Sequence, residues 1–231
     1  MTPQPVAFDG KHAAVYNDRW AKIAPFRDAL HLAIRLRLSD LPANARILCV
    51  GAGTGVELFY LAEQFHGWHF TAVEPAPAML AICRERTGAA GIAARCDFHE
   101  GYLDTLPIAE PFDAATSLLV SQFCLGDGER QNFFRQIADR LRPGGFLISA
   151  DISGDTSGEN YERLWEVWLQ MHRFTGATTE DTERMREMVS KSVAIVPPSE
   201  VEAILMASGF DTPTLFMQTL LIHAWFAKRW I

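Results

Sequence analysis

An apolar segment that leads directly into three alternating glycines constrains this chain more than any other feature. Ile47–Val50 has the composition of a buried strand, and Gly51, Gly53 and Gly55 follow it at every second position. Glycine permits positive φ and lets a ligand approach the backbone closely. A helix beginning at Val56 would also offer its free N–H groups at this point. The segment therefore predicts a strand, a nucleotide-binding turn and a helix.

The spacing of the glycines distinguishes between kinds of nucleotide. A dinucleotide fingerprint has the pattern G-x-G-x-x-G, with its third glycine one position later, where this chain has Val56. Here the pattern is G-x-G-x-G. A nicotinamide-dependent oxidoreductase is therefore disfavoured.

Strand-like segments alternate with amphipathic helical segments, a pattern that predicts an α/β fold with a parallel sheet and helices on both faces. The predicted strands are 46–50, 68–73, a segment around Cys96 and Phe98, 112–119, the segment from Phe146, and an antiparallel pair at 211–217 and 220–228. The predicted helices are 27–38, 56–65, a segment that opens at Pro75 and Pro77 and ends at Gly88, 127–141, and 199–208. Residues 101–111 predict a loop with at most one turn, and Pro143–Gly145 predict a tight reversal.

A length of 231 residues suits one sizeable core, so residues 1–231 are expected to form a single domain. Within it, residues 1–40 are expected to be an N-terminal helical cover. Residues 157–192 interrupt the core pattern with charged and aromatic residues and predict an inserted helical lid. Trp165, Trp168 and Met171 recur at spacings of three, and Phe174 is expected to extend their apolar face.

Composition and charge limit the partners. A net charge of −7 argues against a nucleic-acid partner and favours a small-molecule substrate. No stretch has the apolar length of a membrane span, and the N-terminus lacks a secretory signal pattern, so a cytoplasmic protein without a membrane partner is expected. Four cysteines without C-x-x-C or histidine spacing predict reduced thiols and no metal site. The oligomeric state is left open, a homodimer included.

Residues 44–152 resemble the class I S-adenosylmethionine-dependent methyltransferases. The resemblance rests on the glycine turn, on Glu74 at 19 residues after Gly55, on the Gly101 loop and on Pro143–Gly145, which follow one another in the family's order. It implies a Rossmann-like, seven-stranded, mostly parallel sheet with an antiparallel C-terminal strand pair and a helical lid insertion. It also implies methyl transfer from S-adenosylmethionine, with S-adenosylhomocysteine as the product.

By this resemblance the glycine turn wraps the methionine end of the cofactor, and Glu74 binds both ribose hydroxyls, since a carboxylate can accept two hydrogen bonds from a diol. The Gly101 loop would line the adenine, although Tyr102 stands where family members often have Asp. Leu118 likewise stands where a polar residue is common. The predicted cofactor-binding residues are Gly51, Ala52, Gly53, Gly55, Glu74, Pro75, Met79, Gly101, Tyr102, Leu103, Leu118 and Leu119.

The second half of the chain also resembles the carboxy-S-adenosylmethionine synthases, through segments such as Gln122-Phe123, Met171-His172 and Phe216–Gln218. In those synthases a lid arginine pairs with the extra carboxylate of the cofactor, and the nearest candidate here is Arg186, with Arg184 close by. The sequence favours a simpler interpretation, in which both arginines are solvated helix charges with partners three or four residues away. A synthase, or a binder of the carboxylated cofactor, is therefore an alternative function.

The methyl acceptor is predicted to contact aromatic and polar residues from the N-terminal cover, the strand edge and the lid: Tyr16, Trp20, Phe26, Gln122, Phe123, Trp168, His172 and Arg186. No catalytic residue is predicted, because methyl transfer depends mainly on alignment, and because the sequence does not identify an orienting group for His172 or His223, the candidate bases. A further alternative is a noncatalytic protein that senses the cofactor or activates a partner. Such a protein would bind cofactor but lack an open acceptor pocket.

Overall fold

The computed structural model describes residues 21–230, and at its centre lies a seven-stranded sheet with the strand order β3-β2-β1-β4-β5-β7-β6. Strands β1 to β5 run parallel, whereas β7 is antiparallel to both of its neighbours, β5 and β6. The strands are β1 Arg46–Val50, β2 His69–Glu74, β3 Cys96–Glu100, β4 Phe112–Leu118, β5 Leu141–Ile152, β6 Thr214–Thr219 and β7 Ile222–Lys228.

Seven helices in the described residues surround the sheet: α1 Ala24–Leu38, α2 Val56–Gln64, α3 Pro77–Ala89, α4 Glu129–Arg140, α5 Glu159–Phe174, α6 Thr179–Ser192 and α7 Pro198–Ala207. Local sequence sets several of their starts. Pro77 and Pro198 occupy the first positions of α3 and α7, where proline loses no helical hydrogen bond. Thr178 and Asp181 form a capping box that begins α6. None of the helices in residues 21–230 has both the length and the hydropathy to span a membrane.

The central strands are buried on both faces because helices cover both. In β1, Leu48 and Val50 face one core with α4 and α7, while Ile47 and Cys49 face the other core with α1, α2 and α3. Strands buried on both sides read as continuous apolar runs, and this is why β1 was identified from the sequence.

A third apolar cluster joins α5 and α6 to the carboxyl end of β5 and to the turn between β6 and β7. Trp165, Trp168 and Met171 of α5 pack there with Met185 of α6 and Leu221. Phe174 was expected to extend this face, but it is 69% exposed. On a helix with 3.6 residues per turn, side chains three residues apart differ in direction by about 60°. Three such steps separate Trp165 from Phe174, so Phe174 lies on the opposite side of α5 from Trp165.

The predicted fold class is confirmed: an α/β sheet of seven mostly parallel strands with an antiparallel C-terminal pair. Residues 101–111 form the predicted loop, with a short 3-10 turn at Leu103–Thr105. The prediction of a tight reversal at Pro143–Gly145 is wrong, because these residues form an irregularity within β5. β5 begins at Leu141 opposite Phe112, and residues 142–145 bulge out before pairing resumes at Phe146.

Candidate functional site

The glycine turn connects β1 to α2 at the carboxyl end of the sheet. Gly51, Gly53 and Gly55 have φ values of 68°, 55° and 78°, a region that side chains with a Cβ rarely adopt. A Cβ at Gly51 would overlap Val120 Cγ2, and one at Gly55 would stand 2.5 Å from Cys83 Sγ. At Gly53 no atom lies within 4 Å of that point. Two glycines are thus required by packing, and the middle one borders open space.

Glu74 ends β2 beside this turn. Its Oε2 accepts the Gly53 N–H at 2.9 Å and its Oε1 accepts the Ala76 N–H at 2.8 Å. The side chain is 7% exposed, and burial raises the pKa of its carboxyl although both backbone hydrogen bonds lower it. The carboxylate is therefore held in one position, with acceptor capacity remaining on each oxygen.

The loop after β3 lies next to Glu74, because Gly101 N–H donates to the Glu74 carbonyl at 3.2 Å. Leu103 is buried, and its carbonyl accepts a hydrogen bond from Arg140 at 2.7 Å. Tyr102 is 57% exposed. Of the neighbouring predicted cofactor residues, Pro75 is exposed and Met79 is buried. The carboxyl ends of the first three strands thus bring the glycine turn, Glu74 and the Gly101 loop to one edge.

A cavity of about 190 Å³ adjoins the turn. Its wall comes from α1, the glycine turn, the end of β4, α5 and the β6–β7 hairpin, and it includes Ile23, Phe26, Leu30, His31, Gly51, Ala52, Gly53, Thr54, Glu57, Leu118, Leu119, Trp168, Met171, Met217, Leu220 and Ile222. Leu119 and Leu220 are the non-glycine residues with positive φ in the described chain, at 61° and 54°. Both line this cavity. Strained backbone of this kind concentrates at binding sites.

Known proteins resemble this chain in sequence and in fold. A sequence family described as a methyltransferase domain matches residues 47–145. A carboxy-S-adenosyl-L-methionine synthase from Campylobacter lari is 28% identical over 88% of this chain and 86% of its own length. A demethylmenaquinone methyltransferase from Thermus thermophilus is 27% identical over 83% of this chain and 91% of its own. An O-methyltransferase family protein from Burkholderia thailandensis has the same fold, with a TM-score of 0.62 at 14% identity over 99% of this chain and 65% of that one.

The matched segment begins in β1 and ends in the bulge of β5, so it contains the glycine turn, Glu74 and the Gly101 loop. Residues 47–145 are a methyltransferase domain, and with the relatives and the shared fold they support a class I S-adenosylmethionine-dependent methyltransferase. Its cofactor is S-adenosylmethionine, as the resemblance of residues 44–152 implied.

Two titratable side chains in the cavity wall of this methyltransferase were missed from the sequence. Burial and the neighbouring Arg27 lower the pKa of His31 to about 4, so its imidazole is neutral at physiological pH. Burial raises the pKa of Glu57 to about 7, against the hydrogen bonds from Thr116 and Cys49 that lower it. The signal for Glu57 was its place in the first helical turn after Gly55. No sequence pattern identified His31, because only the packing of α1 brings this residue to the cavity beside the glycine turn.

The residues predicted for the acceptor fall into three groups. Phe26 and Trp168 line the cavity. Tyr16 and Trp20 lie outside the described residues. Gln122, Phe123, His172 and Arg186 lie outside the cavity wall.

The surroundings of Gln122, Phe123 and His172 explain why these residues lie outside the cavity wall. The Gln122 side-chain oxygen accepts the Ile152 N–H at 2.8 Å, which ties it to β5. Phe123 follows it in a short 3-10 turn, with its ring partly exposed. His172 lies on α5 with its ring centroid 5.4 Å from that of Trp168. His223, a candidate base, is likewise absent from the cavity wall, and its Nδ1 lies 3.2 Å from the Leu221 carbonyl.

Arg184 and Arg186, the two arginines considered for a carboxylated cofactor, each pair with a glutamate. The two terminal guanidinium nitrogens of Arg186 donate to Glu162 of α5, at 2.9 and 2.8 Å, and the guanidinium lies 5.1 Å from the Trp165 ring centroid. Arg184 pairs with Glu180 one turn before it. Arg184 is therefore a solvated helix charge with a partner four residues away, while Arg186 links α5 and α6 across their surface.

Proposed function

We propose that this methyltransferase transfers the methyl group to a small, largely apolar acceptor held in the cavity beneath α1 and α5. The observation that carries the proposal is a single cavity with the glycine turn on one side and Phe26, Trp168 and Met217 on the others. Ligand sites of this kind combine apolar walls with few polar groups. A methyl group directed from the turn into the cavity would meet an acceptor among these side chains.

The residues at the carboxyl edge of the sheet fit the cofactor. Gly53 leaves room above the turn for the methionine end, since a Cβ there would meet nothing within 4 Å. Glu74 retains lone pairs for the two ribose hydroxyls after accepting the backbone N–H groups of Gly53 and Ala76. The loop from Gly101 to Leu103 would line the adenine. Because the Leu103 carbonyl already accepts from Arg140, the exposed Tyr102 ring is the more available adenine contact.

Alignment and exclusion of water are what the protein itself would contribute. The bound cofactor supplies a methyl group on a positively charged sulfur, which departs as a neutral thioether. Phe26, Trp168 and Met171 surround the acceptor position with apolar surface, which excludes water and restricts the approach to one direction. His31 is neutral at physiological pH and therefore adds no positive charge beside the sulfur.

Synthesis or binding of a carboxylated cofactor is the second candidate, favoured by the Campylobacter lari relative. The position of Arg186 counts against it, because both of its terminal guanidinium nitrogens donate to Glu162 outside the cavity wall. Arg27 is the arginine that lines the described cavity. A carboxylated ligand would therefore have to be held by Arg27. The noncatalytic alternative is weakened by the cavity itself, because it requires the absence of an acceptor pocket.

Native mass spectrometry of the purified protein with collisional release tests these functions directly. Release of S-adenosylmethionine or S-adenosylhomocysteine, followed by acceptor-dependent turnover in a screen of small apolar compounds, is the expected result. Release of a carboxylated adenosyl ligand would support the second candidate. If no adenosyl ligand is found, and added S-adenosylmethionine does not bind, the proposed site is wrong.

We also infer a cytoplasmic location and a small-molecule rather than nucleic-acid partner. All four cysteines, Cys49, Cys83, Cys96 and Cys124, are free thiols, and free thiols are typical of a reducing compartment. A net charge of −7 supports the second inference. Fractionation of cells that express the tagged protein and a nucleic-acid shift assay at low salt would test these two points.

A further inference from the structure

Glu57 is the carboxylate in the wall of the cavity, as far as residues 21–230 show. It lies in the first turn of α2, two residues after Gly55. Arg27 and His31, both on α1, are the other ionisable side chains in that wall. The adjoining surface is otherwise mostly apolar, so a carboxylate there is unexpected unless it meets a ligand.

Two side chains from the sheet hold the Glu57 carboxyl group in place. The Thr116 hydroxyl of β4 donates to its Oε1, and the Cys49 thiol of β1 forms a further hydrogen bond. Cys49 and Thr116 are paired residues of these neighbouring strands. Leu118, two residues beyond Thr116 on the same face of β4, lines the cavity. The carboxyl group therefore lies over the ends of β1 and β4, where the glycine turn begins.

The charge of Glu57 has no counterion in the described chain. The ion pairs of residues 21–230 join other carboxylates, and none of them involves Glu57. A desolvated carboxylate without a cation is costly, and the neutral donors Thr116 and Cys49 offset only part of that cost. The arrangement is thus suited to a cation that arrives with a ligand.

We propose that Glu57 binds the α-ammonium group of the cofactor's methionine moiety. The proposal rests on the proposed function, which places that moiety against the glycine turn. An ammonium group has three N–H donors, and a carboxylate accepts from it in a short, charge-assisted hydrogen bond. Thr116 acts as a positioning residue, because its hydroxyl fixes the carboxyl group toward the end of β4.

Selection among adenosyl ligands follows from this contact. A binding site whose polar side chain is positioned for one group of the ligand discriminates strongly against an analogue without that group. The side chain is then left buried without a hydrogen-bond partner. S-adenosylhomocysteine should therefore bind much more tightly than its desamino analogue, in which hydrogen replaces the α-amino group. Apolar packing alone would bind the two ligands with similar affinity.

Calorimetric titration of the full chain with these two ligands tests the assignment. The wild type is expected to prefer S-adenosylhomocysteine at least tenfold, the ratio that about 1.4 kcal/mol produces. Glu57→Gln is expected to remove most of this preference while binding the desamino analogue within about threefold of the wild type, because it loses only the charged contact. Glu57→Asp should give an intermediate preference. Glu63→Gln removes an exposed carboxylate from the same helix and should retain the full preference.

Three results would overturn the assignment. Equal affinities of the wild type for both ligands would show that no side chain recognises the amino group. A preference that persists in Glu57→Gln would place the recognition elsewhere, and normal ligand affinity with abolished methyl transfer would make Glu57 a proton acceptor instead. Failure of the wild type to bind either ligand is a separate outcome, because it removes the proposed cofactor site itself.

Discussion

The Glu74 carboxylate accepts a hydrogen bond from the backbone N–H of Gly53 at 2.9 Å. This contact joins the end of β2 to the middle of the glycine turn, so the predicted ribose ligand and the predicted methionine cradle are parts of one hydrogen-bonded unit. The second oxygen of Glu74 accepts the Ala76 N–H at 2.8 Å, which fixes the start of α3 in the same unit. The geometry of the two predicted cofactor contacts is therefore linked.

Replacing Glu74 should weaken cofactor binding by at least about 30-fold, because two hydrogen bonds from a diol to a charged acceptor are lost. Glu74→Ala also leaves the N–H groups of Gly53 and Ala76 without this partner. Isothermal titration with S-adenosylhomocysteine measures the effect. Glu100→Ala is the matched control, since Glu100 is the exposed cross-strand neighbour of Glu74. Unchanged affinity in Glu74→Ala would show that the ribose lies elsewhere.

The three glycines should respond differently to alanine. Gly51→Ala and Gly55→Ala combine positive φ with a steric clash, so each should lower the free energy of unfolding by about 2–4 kcal/mol. Gly53→Ala has open space and should cost only about 1 kcal/mol, yet it should weaken cofactor binding because its methyl group projects where the ligand would lie. Urea unfolding and ligand titration measure the two effects.

Paired substitutions test the cause of the clash at each outer glycine. Gly51→Ala with Val120→Ala, and Gly55→Ala with Cys83→Ala, should recover part of the lost stability, because the contacting atoms are Val120 Cγ2 and Cys83 Sγ. The strain of positive φ remains in both pairs, so recovery should be incomplete. Losses that simply add in the double variants would refute the steric explanation.

The stability of the ligand-free protein should depend on pH through Glu57. Its carboxyl pKa is about 7 in the folded state, raised by burial from 4.5. Between these values the folded state holds a proton that the unfolded state has lost, so stability falls as pH rises from about 4.5 to about 7. The stability of Glu57→Gln does not fall in this way, and its side-chain oxygen can still accept a hydrogen bond from the Thr116 hydroxyl. It should be more stable than the wild type by about 1–3 kcal/mol at pH 8, and about equally stable near pH 4.5.

Urea unfolding of both proteins from pH 4.5 to pH 8 provides the measurement. Burial also raises the pKa of Glu74 and Asp151, but these groups occur in both proteins and cancel in the difference. A difference that does not change with pH would show that Glu57 titrates normally.

Trp168 should affect the acceptor more than the cofactor. Its ring lines the cavity, whereas Trp165, one turn earlier, stacks on Tyr161 and lies beneath Arg186. Trp168→Phe removes part of the wall and should raise the KM of an acceptor found by screening at least about threefold, since a few lost methylene-sized contacts have this effect. The Kd of S-adenosylhomocysteine should change less. Trp165→Phe is the matched control, and an equal rise in KM there would assign the effect to lid stability.

The sequence by itself determined the sheet and the edge at which the glycine turn, Glu74 and Gly101 meet, because both depend on local signals. Apolar runs buried on both faces identified β1 and β4, and the alternating glycines after Val50 set the turn. Chain order then placed Glu74 and Gly101 at the ends of the next two strands. These features follow from residues close together in the chain, and parallel strands bring their ends to one edge without further information.

Only the tertiary structure decided which side chains form the cavity. His31, Glu57 and Met217 lie on α1, α2 and β6, and their meeting depends on how two helices and a hairpin pack over one sheet edge. The same packing directs Arg186 to Glu162 and Gln122 to Ile152, away from the cavity wall. Sequence spacing places a residue on the face of its own element, but contacts between distant elements are set by the packing of the whole core.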